Sequence, residues 1–411
     1  MKISRRDFVA ATALSSAAAM GGIEASRKAE RGRPASPEKR AGSPAADRFD
    51  PWIELDPAAF QLNVREIARI TKGTPILAVV KCNGYGLGHQ FVGPILDEFP
   101  EVAGFAVVMA EEAIELRDAG VRKPILLMDD FAESMAEDLA LRDITLAAYT
   151  PGVSKRFTAL AGKVGRAIKV HPYLDTGFHR MGIDYRKAEP LIEDLADNRA
   201  VNIAGIMTEF TEVVDFDREQ IARFRRFTDK MQKKGIKLGQ RHAAASHGLT
   251  HHSDANFDMV RPGNMVYGIL PDDLSEEGAN LKVAYRLKAR VINIVRVHKG
   301  ESTGYGRFYL ADRDTDVAIV KCGRTDGYIY RKGGAGTHVL IDSKPYPVIA
   351  GVSGSHCFVG LGLKHGVKLR DVATLIGPEP GIRPHELAEK QGLGRYEGFN
   401  LSARLPKYVI S

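Results

Sequence analysis

The sequence predicts an α/β protein, with a (β/α)8 barrel over residues 49–278 followed by a mostly β domain over 279–411. Three observations predict it. Apolar runs alternate with amphipathic helical segments from residue 51. The rhythm changes after about residue 280 to short β-type runs parted by Gly, Asp and Pro, and residues 1–48 differ from both in composition.

The N-terminal part accounts for most of the charge. Residues 1–48 hold ten Lys/Arg and five Asp/Glu, +5 of the formal +7, so the remainder is near neutral and a basic nucleic-acid surface is not expected. Arg5 and Arg6 in "SRRDFV" precede an uncharged, Ala-rich stretch over residues 9–23, too short to span a bilayer. This pattern resembles a twin-arginine signal over residues 1–25 and predicts a periplasmic or otherwise exported protein. Residues 26–48 carry too few apolar groups to offset ordering entropy and read as a disordered linker.

The barrel strands follow: "PILAVVK", "AGFAVVM", "PILLM", "ITLAAY", "AIKVHPYL" and "VNIAGIMT". Between them, "PAAFQLNVREIARI", "AEEAIELRDAG" and "DREQIARFRRFTDKM" have helical periodicity. Lys81 ends the first run, ahead of Gly84, Gly86 and Gly88, where a barrel presents its chemistry. An amine beside an apolar wall can condense with an aldehyde, although on spacing alone a lysine snorkelling from a strand end accounts for it better. Beyond residue 280, "LKARVINIVRVHKG", "TDVAIVKCG", "THVLIDSKPYPVIAGV" and "CFVGLG" read as strands, and "PHELAEKQG" as a lone helix.

Other chemistry-bearing residues are weaker signals. His242, His247, His251 and His252 cluster in sequence without a zinc-type partner spacing, so a solvated or loop-packing set is expected and no metal. Ser355, His356 and Cys357 read as strand neighbours that face opposite ways. Of Cys82, Cys322 and Cys357, the last two could form one disulfide in an exported chain.

Six segments decide among these readings. "WIELDPAAFQLNV", "AVVKCNGYGLG", "LDTGFHRMGI", "MVRPGNMVYG", "STGYGRFY" and "ARLPKYV" stand in the order and spacing of alanine racemases and their broad-specificity amino-acid racemase relatives. The chain resembles that family over about residues 51–411. The resemblance implies a pyridoxal 5'-phosphate (PLP)-binding barrel, a C-terminal β domain, a homodimer with shared active sites, and interconversion of L- and D-amino acids, alanine first. The near-neutral charge beyond residue 48 argues against a nucleic-acid partner, and no membrane partner is expected after signal cleavage. A PLP barrel decarboxylase or eliminase would leave Tyr305 dispensable, and a non-catalytic relative that binds PLP or an amino acid is the third reading.

Carried over by position, Lys81 matches the lysine that bonds PLP and serves as one base, and Tyr85 the tyrosine beside it. Arg261 matches the arginine facing the pyridine nitrogen. Tyr305 matches the second base, supplied by the partner subunit, and Arg180 the cation beside it. Ser246, Gly263, Asn264 and Tyr396 match phosphate ligands. Four positions depart from the pattern: Glu209 replaces a histidine expected near Arg261, and Tyr173 replaces a lysine that often braces the arginine corresponding to Arg180. Arg324 stands in an aromatic position, and Ser353–Gly354–Ser355 replaces "SMD".

Overall fold

The computed structural model describes residues 50–271, 278–328, 336–395 and 401–410. The expected signal, the linker and Tyr396 lie outside them. The first strand, β1 (Trp52–Leu55), falls in the span read from sequence as barrel, yet it pairs antiparallel with Tyr285–Val297 and parallel with Lys407–Val409. Its burial explains why. All four residues are buried, and the Glu54 carboxylate accepts from Trp52 Nε1 at 3.0 Å and pairs with Lys288 Nζ at 2.6 Å. A buried charge needs such a partner, and Lys288 on the neighbouring strand supplies it.

Helix Pro57–Ile70 then leads into the barrel. The Asp56 side chain accepts from Ala59 N at 3.1 Å, proline opens the first turn, and Ala59, Phe60, Asn63, Val64 and Ile67 form the buried stripe. Asn63, in the middle of that stripe, is fully satisfied: Nδ2 donates to the carbonyls of Val266 and Lys282, and Oδ1 accepts from Lys282 N at 2.7 Å. The polar side chain therefore ties the helix to the segment leaving the barrel.

The barrel itself runs through β2 (Ile76–Val79), β3 (Val102–Val107), β4 (Ile125–Leu127), β5 (Ile144–Ala148), β6 (Ile168–Pro172) and Val201–Ile203, all parallel. Gly205–Met207 continues the sixth strand and pairs with Gln240–His242. A bridge from His242 to Met259 and another from Val260 to Ile76 close the ring, with Leu77 N donating to Val260 O at 2.8 Å. The apolar runs seen in the sequence are buried because strands of such a barrel face packed side chains within and helices without.

In the C-terminal region Tyr285–Val297 is the long central strand, pairing with β1, Thr315–Val320 and Val372–Ile376. His338–Ile341 and Lys344–Pro347 form a hairpin whose two turn residues, Asp342 and Ser343, have φ of 51° and 60°. A two-residue turn with both φ positive matches the twist of its strands. Pro384–Lys390 is the helix expected from "PHELAEKQG". The thiols of Cys322 and Cys357 are buried and free, so the disulfide considered from sequence is not formed.

Candidate functional site

A cavity of about 630 Å³ opens at the C-terminal ends of the barrel strands, lined among others by Lys81, Tyr85, Asp129, Arg180, Glu209, Ser246, Arg261, Gly263 and Asn264. Lys81 stands two residues past β2, at the start of a tight turn. Cys82, Asn83, Gly84 and Tyr85 all take left-handed φ, between 54° and 59°. Non-glycine residues pay roughly 1–2 kcal/mol each for that conformation. Glu112, buried at the head of helix Ala110–Asp118, steadies the turn: its Oε1 accepts from Asn83 N at 2.8 Å, and Oε2 from Val108 N and Met109 N.

On another wall, Tyr85 and Gly263 meet so closely that a Cβ on Gly263 would lie 2.2 Å from the Tyr85 hydroxyl. Only glycine leaves room for that phenol. The Ser246 hydroxyl accepts from Gly263 N at 3.2 Å and Met265 N at 3.5 Å. The Tyr85 and Ser246 hydroxyls thus converge beside Gly263 and Asn264, in a loop suited to a phosphate dianion.

Arg261 is the buried cation of the cavity, 2% exposed. Nη1 donates to His242 Nδ1 at 2.8 Å and His242 O at 2.9 Å. Nη2 donates to Thr208 O at 2.7 Å, Glu209 Oε2 at 2.8 Å and Ala243 O at 3.1 Å. Among the described residues no acceptor engages Nε, which leaves it as the donor for a ligand. His242 in turn meets His171, Nε2 to Nδ1 at 2.8 Å. Burial, reinforced by the Arg261 charge, pushes the His171 imidazole down to about 3 and that of His242 well below its usual range, so both are neutral.

Arg180 stacks over Phe178, 4.2 Å from the ring centroid, and lies within electrostatic reach of the Tyr173 phenol. Burial and the nearby Glu209 charge push the Tyr173 phenol up to about 12. The brace on Arg180 is therefore a neutral hydroxyl. Asp129, just past β4, faces the same space. Burial raises its carboxyl, against the opposing pull of Lys81 and Arg180.

The structure thus gathers Lys81, Tyr85, Arg180, Glu209, Ser246, Arg261, Gly263 and Asn264 around one cavity. Tyr305 is not brought there: it lies in the C-terminal region, in the turn Tyr305–Arg307, 78% exposed. Two of the departures from the family pattern touch, Arg324 N donating to Ser353 O at 2.9 Å and Thr325 N to Gly354 O at 2.9 Å.

Two expectations are corrected. His242 is not a solvated or loop-packing residue but a fully buried partner of Arg261, and His171, in "AIKVHPYL", was not singled out at all. The signal available was the pair itself: a histidine inside an apolar barrel strand, and another ending a neighbouring strand ahead of small residues. The second concerns Ser355 and His356, whose side chains do meet, Oγ to Nδ1 at 3.0 Å, because they lie in an exposed bend before strand Cys357–Gly362. Among the described residues no group of three His, Cys, Asp or Glu could hold a metal ion.

A closed barrel with an amine, an anion cradle and a buried guanidinium around one cavity defines an enzyme that holds an aldehyde cofactor with a phosphate tail. Residues 55–271 match the alanine racemase N-terminal domain and residues 284–409 the alanine racemase C-terminal domain. The chain belongs to the alanine racemase family. It is 30% identical to the alanine racemase of Methanococcus maripaludis, over 87% of this chain and 98% of that one. It is 31% identical to that of Pasteurella multocida, over 84% and 94%. Among solved structures, alanine racemase from Streptomyces lavendulae superposes with a TM-score of 0.80 at 25% identity, over 89% of this chain and 97% of that one. The biosynthetic alanine racemase of Pseudomonas aeruginosa does so with 0.75 at 28%, over 89% and 100%. The protein is therefore a PLP-dependent isomerase of the racemase class.

Proposed function

We propose that the protein interconverts the enantiomers of amino acids, alanine included, by a two-base mechanism in a homodimer that works after export by the twin-arginine route. The observation that carries the reading is the convergence of Lys81, the Tyr85–Ser246–Gly263 cradle and Arg261 on one cavity. When bound, PLP supplies a conjugated ring that acidifies the Cα–H of the attached amino acid. Lys81 would hold the cofactor's aldehyde end, while Tyr85, Ser246 and the loop at Gly263 and Asn264 would hold its phosphate.

The unengaged Nε–H of Arg261 would be the donor available to the ring nitrogen of the bound cofactor. A guanidinium keeps its proton, so Arg261 would donate to that nitrogen without protonating it, which would favour return of a proton to Cα. Arg180, braced by Tyr173, takes the substrate carboxylate and leaves Cα beside the Lys81 amine. Lys81 Nζ then removes or delivers the proton on one face.

A proton must also move on the other face. The chain's own cavity lacks the tyrosine, and Tyr305 stands exposed on the C-terminal region. Tyr305 of the partner subunit fills the role, with Arg180 as the cation that favours its ionised form. The test is exchange of Cα–H in deuterated water, followed for each enantiomer separately. The parent enzyme should wash deuterium into both. Tyr305→Phe should keep the cofactor's absorbance and lose exchange from one enantiomer far more than from the other. Equal loss from both would remove Tyr305 as a one-face base.

A further inference from the structure

Three carboxylates line the cavity: Glu209 is bonded to Arg261, Glu212 has a partner of its own, and Asp129 makes no hydrogen bond or ion pair among the described residues. The contrast with its neighbour is informative. Asp130 pairs with Arg156 Nη1 at 2.6 Å, as surface carboxylates do, whereas no hydrogen bond or ion pair holds the Asp129 side chain among the described residues. It stands at the C-terminal end of β4, where a barrel puts groups that meet substrate. It also lies within electrostatic reach of Lys81 and Arg180, the residues placed at Cα and at the substrate carboxylate. Met128 and Val108 line the same cavity with apolar surface.

An unpaired carboxylate in a half-buried cavity is costly unless a ligand supplies its counter-charge. Alanine offers nothing beyond Cα. The α-amine is a poor candidate, because a carboxylate beside it would hold it as the ammonium, which cannot attack a carbonyl carbon. That leaves the substrate side chain. Methylenes could lie along Met128 and Val108 while a terminal cation reaches the carboxylate. A side-chain carboxylate at the same place would meet like charge.

We propose that Asp129 is a specificity-determining residue that selects amino acids with a cationic side chain, such as lysine, ornithine and arginine, and rejects acidic ones. The inference rests on the racemase reading and names the substrate class of that same cavity. The experiment measures kcat/KM of the holoenzyme for L-lysine, L-alanine and L-glutamate by chiral chromatography, in the parent, in Asp129→Asn and in Asp129→Glu. The parent should prefer lysine over glutamate by about a hundredfold. Asp129→Asn should lose about tenfold more with lysine than with alanine, and Asp129→Glu should recover most of the difference. The loss should appear chiefly in KM, which separates a side-chain contact from general damage to the site. A parent that treats lysine and glutamate alike overturns the proposal, as does an Asp129→Asn loss equal for all three. A parent that racemises no amino acid overturns the racemase reading with it, and activity confined to alanine overturns the specificity alone.

Discussion

Arg261 Nη1 donates to His242 Nδ1 at 2.8 Å, and a guanidinium has no lone pair to accept in return. The His242 proton therefore sits on Nε2, which donates to His171 Nδ1 at 2.8 Å. One unprotonatable cation thus sets the tautomers of two buried rings. Each ring spends an acceptor nitrogen on a donor, and protonating either would put a second positive charge beside Arg261.

This chain predicts an acid-sensitive fold. His171 is held down at about 3 and His242 well below its usual value, whereas the unfolded chain protonates both near their ordinary pKa of roughly 6.5. The folded pKa is the depressed one. Stability from these rings is complete above about pH 6.5 and drains as pH falls from there toward about 3, because the unfolded state takes up protons that the folded state refuses. In His171→Gln, stability at pH 7 should fall by about 1–3 kcal/mol while its slope between pH 6.5 and 4 becomes shallower. Urea midpoints measured across that range decide it; an unchanged slope would remove His171 from the account.

Tyr173 predicts a different kind of dependence. Its phenol, pushed up to about 12, stays neutral through the working pH range, so its hold on Arg180 should not titrate between pH 7 and 10. Tyr173→Phe takes away the hydroxyl but leaves the ring, which packs edge-on to Tyr149 at 6.0 Å between centroids. KM should rise about three- to tenfold, the worth of one polar contact to Arg180, with a smaller change in kcat. An unaltered KM would mean that Phe178 alone orients Arg180.

Much of the cavity was legible before any coordinates, and for physical reasons. Lys81, Ser246 and Arg261 sit in short local patterns, with the spacing set by a strand end or a tight turn, so their neighbourhood travels with the sequence. His242 and His171 are 71 residues apart, and nothing local distinguishes a histidine that will pair from one that will face water. β1 misled for a similar reason. Its four residues fit any buried strand, and only the Glu54–Lys288 pairing assigns it to the C-terminal sheet. Asp129 was passed over because "PILLMDD" reads as a strand followed by a polar turn, and a missing partner is visible only once the partners are known.

The proposed export rests on Arg5 and Arg6. A protein that needs a cytoplasmic cofactor gains from folding around it before crossing a membrane, which the twin-arginine route allows. Replacing both residues by lysine should leave the enzyme in the cytoplasm at normal specific activity. Fractionation that finds it exported as before would rule the signal out.

Glu209 governs the last prediction, because it bears on the charge that Arg261 presents to the cofactor. Its Oε2 accepts from Arg261 Nη2 at 2.8 Å, on the guanidinium edge that also serves Thr208 O and Ala243 O. The backbone holds it there: Gln220 Nε2 donates to Glu209 O at 3.0 Å, and Asp217 and Gln220 both accept from Thr211 N at 3.0 Å. A carboxylate in that position offsets part of the Arg261 charge, where a neutral histidine would not. With Glu209 there, Arg261 would present less positive potential to the ring nitrogen of the bound cofactor, which would raise that nitrogen's pKa and the charge the ring withdraws from Cα. Stronger withdrawal has a cost, since a proton is then more easily returned to the cofactor than to Cα, and the product of that error is pyridoxamine phosphate. Glu209→His should therefore accumulate pyridoxamine phosphate more slowly per turnover, by about threefold to tenfold for a shift of half to one pK unit. Chromatography of released cofactor after prolonged turnover measures it. If parent and variant accumulate it at one rate, the Glu209–Arg261 pair does not tune the ring.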